Sequence, residues 1–368
     1  MKPYILLDMS IKIIHRLIFI LSFIAFSFIM NNNITAQTKV VKRSALKSND
    51  YGVNYFLPKS VIHIEANVTR VETKAGPYYK YAEKYLGLNN VVTENSSYYE
   101  LDEVTAYSKG IPDKENSYVV ELKSGTTAPF VYLTESGLIC AINAEYEPEE
   151  SEKRKDSSNS PSSLGTTPES LFTEEYLQAG STAKMAEVAA KQIYKIRESR
   201  MDILTGDAEN APKDGDAMKL VLSQLESQEK ALVELFAGTV SKSSQTFSFE
   251  VEPVESMDKE IIFRFSKYLG VVGVDDLSGV PVYVNLKKID NSLETVPQKK
   301  ASKGVYYNVP GQGAVEIFYG VNKMWSGTLD LSQFGIVQIL ANPIFEDKKA
   351  PVKVYFYPET GGIKRIIQ

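Results

Sequence analysis

Ala179-Gly180-Ser181-Thr182-Ala183-Lys184-Met185-Ala186-Glu187-Val188-Ala189-Ala190-Lys191-Gln192-Ile193 decides the architecture of this chain. Ala179, Ala183, Ala186, Ala190 and Ile193 recur at spacings of three and four, which is one face of a helix. The stripe is mostly alanine, so a partner backbone can come close. Working outward, the spacing predicts a first limb from Thr173 to about Thr205 and a second from about Asp214 to Ala237. Met218, Val221, Leu222, Leu225, Leu232, Leu235 and Phe236 give the second limb a bulkier apolar face, suited to antiparallel packing on the first. Gly206 to Pro212 is turn chemistry, and Gly238 is the expected C-cap. The outward face carries Lys184, Glu187, Lys191, Lys195, Arg197, Glu198 and Arg200, and reads as solvated, with partner docking as the alternative.

Strand-like segments flank this helical hairpin on both sides. Upstream, Val61 to Val71 alternates with Ile62, Ile64, Ala66 and Val68 on one face. Further strands are predicted at 98–108, 117–123, 129–134 and 138–144, with turns at Gly110-Ile111-Pro112-Asp113 and Glu135-Ser136-Gly137. Gly76-Pro77 opens a short helix, Tyr78 to Leu86, stopped at Gly87. Downstream, strands are predicted at 245–253, 260–265, 281–286, 304–309, 314–319, 324–331, 335–340, 351–357 and 363–367. The fold class is therefore α+β: two mostly antiparallel β regions, sandwich or partial barrel, with a long antiparallel helical hairpin between them. The expected divisions are a signal peptide at 1–36, an N-terminal β-rich domain with one short helix at 37–146, a disordered linker at 147–170, the hairpin at 171–238 and a C-terminal β-rich domain at 239–368. Whether the β regions form one sheet system or two domains is left open by the sequence, as is the oligomeric state.

The start is either Met1 or Met9. Lys12, His15 and Arg16 precede an apolar run from Leu17 to Met30, then Asn31-Asn32-Asn33 and Ile34-Thr35-Ala36. That is an export signal, and cleavage is expected after Ala36. No cysteine lies beside that site, so no lipid anchor is expected at the N-terminus. No later apolar run is long enough to span a bilayer as a helix. The expected location is the periplasm or the outer-membrane surface.

Composition narrows the function. The hydrophobic fraction of 43% and charged fraction of 24% are those of a globular protein. The net charge of −5, without a dense basic tract, argues against nucleic acid, because phosphate contacts need clustered Lys and Arg. Cys140 is the only cysteine, so no intramolecular disulfide and no cysteine metal cluster is expected; it sits in an apolar run and reads as a buried thiol. With His15 in the signal, His63 is the one histidine left, which argues against ordinary triads and His-rich metal sites. No metal, cofactor or catalytic residue is assigned.

Ser181-Thr182-Ala183-Lys184 has the Ser-x-x-Lys form of penicillin-recognising serine enzymes. Lys123-Ser124-Gly125 and Tyr306-Tyr307-Asn308 resemble its companion motifs, but their order along the chain is wrong. Ser181 reads more simply as a helix cap. Gly311-Gln312-Gly313 is a strand turn, and Asp275-Asp276 a weak acidic pair. Tyr78, Tyr81 and Tyr85 share one face of the short helix, which reads as packing on a sheet or as an exposed platform for a glycan or protein. Trp325 has the same two readings. The candidate binding surface is Tyr78, Tyr81, Tyr85, Trp325, Arg197 and Arg200.

Several segments resemble an exported family of Bacteroidota-type bacteria, a domain of unknown function, number 4831 in its series. They are Tyr55-Phe56-Leu57-Pro58-Lys59, the run Gly76 to Gly87, Gly110-Ile111-Pro112-Asp113, Ala179 to Glu187, Ile196-Arg197-Glu198-Ser199-Arg200, Gly304 to Pro310 and Gln333-Phe334-Gly335. The resemblance implies an exported bacterial protein and carries no catalytic role. The leading expectation is a non-catalytic envelope protein that works by binding, as an accessory to an outer-membrane assembly. A glycan-binding module and a Ser-x-x-Lys hydrolase are the alternatives.

Overall fold

The alternation at Val61–Val71 belongs to a much longer strand, β2, Gly52–Lys74. This and all that follows comes from a computed structural model that describes residues 39–42, 52–121, 131–146, 167–208, 215–290, 304–341 and 352–368. The export signal, residues 147–166 of the linker, residues 209–214 of the inter-helix turn and Lys123-Ser124-Gly125 lie outside the described residues.

β2 runs through the middle of a four-stranded antiparallel sheet, in the order β1 (Lys39–Lys42), β3 (Ser96–Glu121), β2, β6 (Thr239–Val251). The strands expected at 98–108 and 117–123 are one, and Gly110-Ile111-Pro112 is not a turn: it pairs with Ser60, Lys59 and Pro58. Turn chemistry survives in the bulge that follows, where Asp113 accepts bonds from the Glu115 amide (2.9 Å) and Asn116 Nδ2 (2.7 Å). Glycine at 110 serves a close approach instead. A Cβ there would stand 2.3 Å from the Pro358 carbonyl oxygen.

The second sheet is β11 (Asn322–Ala341), β10 (Gly304–Tyr319), β9 (Val280–Ile289), β7 (Ser256–Ser266), β8 (Gly270–Val272). Gly311-Gln312-Gly313 is again inside a strand, with a register shift between Val309 and Gly311. Paired long strands absorb the turn signals as bulges, because the ladder on either side outweighs the local preference. The third sheet is β13 (Ile363–Ile367), β12 (Lys353–Phe356), β5 (Ile139–Ile142), β4 (Val131–Leu133). The two β regions share sheets: β6 joins the first, and β12 pairs with β5.

The first and second sheets face each other across one core. Ile62, Ile64, Ala66, Val68, Val104 and Ala106 meet Phe263, Phe265, Val282, Val284, Leu286, Val315, Ile317, Leu331 and Phe334. The β2 residues are the alternating face that the sequence predicts. A second cluster, with Tyr55, Leu57, Ile139, Ile142, Val354 and Phe356, ties in the third sheet. The joint between sheets is polar. Fully buried Ser60 exchanges bonds with Ser332 (amide to Oγ 2.9 Å, Ser332 amide to Ser60 Oγ 3.0 Å) and its Oγ donates to the Glu359 carbonyl at 3.1 Å. Gln333 Nε2 donates to the Ser60 carbonyl at 2.7 Å. Asn308 Nδ2 bridges the Pro58 and Thr360 carbonyls at 3.0 and 2.9 Å. Each such bond contributes only about 1 kcal/mol net, but an orphaned partner here would cost about 1–3 kcal/mol.

The helices follow the predicted hairpin with two changes. The first limb breaks into α2 (Glu174–Leu177) and α3 (Thr182–Thr205), after the short α1 (Ala82–Leu86); the second limb is α4 (Gly215–Ala237). Ser181 is the N-cap of α3, accepting from the Lys184 amide at 3.3 Å, so Ala179 is outside the helix and Ala183 is exposed. Burial begins at Ala186 and continues through Ala189, Ala190, Ile193 and Ile196. On α4 only Ala231, Leu232, Leu235 and Phe236 are buried, while Met218, Val221, Leu222 and Leu225 are half-buried. The hairpin is thus anchored at its root, where Gly238 closes α4 with φ +76°.

Candidate functional site

The structure divides the sequence-derived surface between two places: the helical hairpin holds Tyr78, Tyr81, Tyr85, Arg197 and Arg200, and the sandwich core holds Trp325. Tyr78 is 3% exposed and hydrogen-bonds through its hydroxyl to Tyr176. Its ring lies 5.5 Å from Phe236. Tyr81 and Tyr85 are half-buried against the same cluster. The tyrosine face therefore packs on the hairpin root, not on a sheet, with Tyr78 buried and Tyr81 and Tyr85 half-buried. Arg197 and Arg200 both turn to Glu229 of α4, at 2.7 and 3.0 Å, so they clamp the two limbs together. Trp325 packs half-buried on the edge of the sandwich core, in a different place. The six residues form no common surface.

The catalytic candidates are equally spent. Ser181 caps α3, and Lys184 Nζ pairs with Glu187 at 3.3 Å. Lys191 holds the same Glu187 carboxyl from the other side at 2.8 Å, and both lysines keep it below the ordinary carboxylate range. Tyr306 stacks on Tyr118 at 4.3 Å, and Asn308 belongs to the sheet joint. Cys140 is fully buried, and burial pushes its thiol up to about 11. His63 lies on the outer face of the first sheet, with Nδ1 3.5 Å from Glu250 and Nε2 3.7 Å from Glu65, its ring 4.9 Å from that of Tyr107. No serine or cysteine nucleophile bonds to it among the described residues. No group of three or more His, Cys, Asp or Glu residues is placed to hold a metal among the described residues.

What stands out is one end of the five-stranded sheet. β7 ends at Ser266, β9 begins at Val280 and β10 ends at Tyr319, and antiparallel pairing brings these ends together. The connections there carry large apolar side chains in solvent: Tyr268 and Leu269 in the β7–β8 turn, Val274 and Leu277 between β8 and β9, Val280 at the start of β9 and Val321 in the β10–β11 turn. Leu277 is 82% exposed and Val321 91%.

These loops are held, not loose. Arg264 ties down the β8–β9 connection, donating through Nε to the Val274 carbonyl (2.7 Å) and through Nη1 to the Gly279 carbonyl (3.1 Å). Asp276 accepts from the Ser278 side chain and from the Ser278 amide (2.9 Å), and these two bonds, in that order, hold its carboxyl below the ordinary range. The Gly320 amide donates to the Pro281 carbonyl at 3.0 Å, fixing the Val321 turn against β9. The Tyr99 amide donates to the Lys267 carbonyl at 2.7 Å, fixing the third loop to β3. An apolar surface pre-set in this way can bind with little ordering cost. Asp275-Asp276 is thus part of a loop scaffold.

Sequence reading missed this surface. Its residues sit singly in turns, where no period marks them; the one available signal was bulky apolar residues inside turn chemistry, as in Gly273-Val274-Asp275-Asp276-Leu277-Ser278-Gly279. Among the described residues no helix is long and apolar enough to cross a membrane.

A family model described as a domain of unknown function matches residues 51–364. Neither the curated proteins nor the solved structures contain a match.

Proposed function

The chain belongs to the DUF4831 family, a domain of unknown function, over residues 51–364, and from that premise we propose that it is a non-catalytic binding protein whose contact surface is the loop end of the five-stranded sheet. The observation that carries this reading is the set of exposed apolar side chains at Tyr268, Leu269, Val274, Leu277, Val280 and Val321, on loops whose backbones are hydrogen-bonded in place. Burying such a cluster on a partner removes apolar area from water at about 25 cal/mol per Å². The partner is a protein of the cell envelope, and the chain is an accessory to an outer-membrane assembly. The export-type stretch at Lys12 to Ala36 supports that location.

The test is native-size fractionation of gently solubilised envelopes. The unmodified chain should migrate in a complex well above twice its own mass. Leu277→Lys combined with Val321→Lys should release it from that complex with an unchanged circular dichroism spectrum. A chain that is free to begin with, or a double variant still in the complex, overturns the reading.

A further inference from the structure

A second surface, away from the loops, is the outer edge of β6. Among the described residues β6 is the terminal strand of its sheet, paired with β2 alone. An open edge of this kind is normally blunted by bulges, proline, short length or several charges. β6 has 13 residues, no proline and an unbroken register against β2 from Thr239 to Val251. It carries two charged side chains, Lys242 and Glu250, and its sequence is otherwise serine, threonine, glutamine, valine and phenylalanine. Residues 241–246 are all exposed. Nothing in the sequence of this strand prevents another strand from adding to it.

We propose that a second copy of this chain adds there, β6 to β6, antiparallel about a two-fold axis through Thr246. The register follows from the two charges. Centring the pair on Thr246 sets Lys242 of one copy opposite Glu250 of the other, twice over, and pairs residues 241–251, nearly the whole strand. Facing residues in an antiparallel pair share one side of the sheet. Lys242 and Glu250 both lie on the outer face, since Glu250 is opposite outward-facing His63 across β2. Glu250 uses Oε1 for Lys109 (2.6 Å) and for its His63 contact. Lys242 makes no ion pair among the described residues.

The inner face agrees. Phe249 stacks on Phe263 at 4.5 Å, which fixes Phe247, Phe249 and Val251 toward the core side. In this register Phe249 faces the second copy's Ser243, and Val251 its Ser241, large against small. Phe247 of each copy lies diagonally across the axis from the other, within aromatic reach. The product is one continuous sheet with an isologous interface, which closes on itself and does not propagate.

Sedimentation over a concentration series, with cysteine pairing, tests both the dimer and its register. The purified chain should sediment as a dimer. Lys242→Glu should raise the dissociation constant at least tenfold by setting like charges across the interface, and Thr246→Lys should do the same on the axis. Thr246→Cys should oxidise to a cross-linked dimer, because the two cysteines face each other, whereas Ser248→Cys should not, since each would face Ser244. Buried Cys140 gives no background. A chain that stays monomeric at every concentration overturns the proposal. So does a dimer that Lys242→Glu and Thr246→Lys leave unchanged, or one cross-linked through residue 248 and not 246.

Discussion

The tyrosine cluster of the 3-10 turn Tyr79–Tyr81 and of α1 beside it, and the loop end of the five-stranded sheet, are both sets of large apolar side chains, and they have opposite fates. Tyr78, Tyr81 and Tyr85 lie on the hairpin root, with Tyr78 against Phe236 and Tyr176. Tyr268, Leu277 and Val321 stand in water on loops fixed by Arg264 and by backbone bonds. Periodic apolar residues are periodic because one face of a regular element must be buried, so the fold itself consumes them. Apolar residues on turns answer to no such demand, and those kept exposed remain available for something else.

The largest effect that would break this contrast is on stability. Phe236→Ala removes a fully buried ring at the hairpin root, and should cost about 3–5 kcal/mol in urea or thermal unfolding. Leu277→Ser, on the loop, should change stability by no more than about 0.5 kcal/mol while abolishing the envelope complex. If Leu277→Ser destabilised as much as Phe236→Ala, the loop cluster would be part of the core and not a surface.

A finer test lies inside the root. Tyr78 and Tyr176 share a hydroxyl–hydroxyl bond in a buried setting. Tyr78→Phe leaves the Tyr176 hydroxyl without that partner and should cost about 1–3 kcal/mol. Tyr78→Phe with Tyr176→Phe replaces both partners by apolar groups of the same shape, so the double variant should lose less than the sum of the singles. Additive losses in that cycle would show that the hydroxyls do not depend on each other.

The fold was legible where pattern and packing coincide. Ile62, Ile64, Ala66 and Val68 alternate in the sequence and are buried in the structure. The hairpin packs along the predicted stripes from Ala186 onward, while Ala179 and Ala183 fall outside the contact, and Gly87 and Gly238 end helices as expected. The lengths of β3, β10 and β11 were not legible, because Gly110-Ile111-Pro112-Asp113 and Gly311-Gln312-Gly313 carry turn residues that long ladders absorb. Nor was the polar joint at Ser60. Its partners Ser332 and Gln333 lie far along the chain, and no local spacing connects them. The candidate site was hidden because Val274, Leu277 and Val321 are isolated in turns. Arg197 and Arg200 looked like a docking face because one helix alone does not show that Glu229 waits on the other.

Alkaline pH separates the two regions further. Burial raises the phenols of Tyr55, Tyr78, Tyr118 and Tyr307 above their ordinary value, with Tyr118 pushed up to about 12. These groups stay neutral in the fold at pH values where the unfolded chain ionises. Their stability is therefore fully present below about pH 10 and is lost as the pH climbs beyond it. Urea midpoints should fall steadily above that point, and Tyr78→Phe should make the fall shallower. On the acid side, Glu187, Glu250 and Asp276 are held low by their partners, so their contribution is present at neutral pH and lost as the pH drops through the carboxylate range. Glu250 and Asp276 are exposed and Glu187 is about a third exposed, so that loss should be the smaller one. Loop variants such as Leu277→Ser should leave both limbs of the profile where they are.

The smallest expected effect concerns the hairpin clamp. Arg197 and Arg200 are about a third exposed and share Glu229, whose side chain is 13% exposed. Removing either arginine leaves the other on the carboxylate, so Arg197→Ala or Arg200→Ala alone should cost only about 0.5 kcal/mol. Removing both leaves a half-buried charge unpaired, so the pair should cost more than twice either single. If these arginines act only within the hairpin, the double variant should keep the chain in its envelope complex at a lowered unfolding midpoint. Release of the folded double variant from that complex would move the contact surface from the loops to the outward face of α3, and the contrast between consumed and available residues would then have to be redrawn along the helix itself.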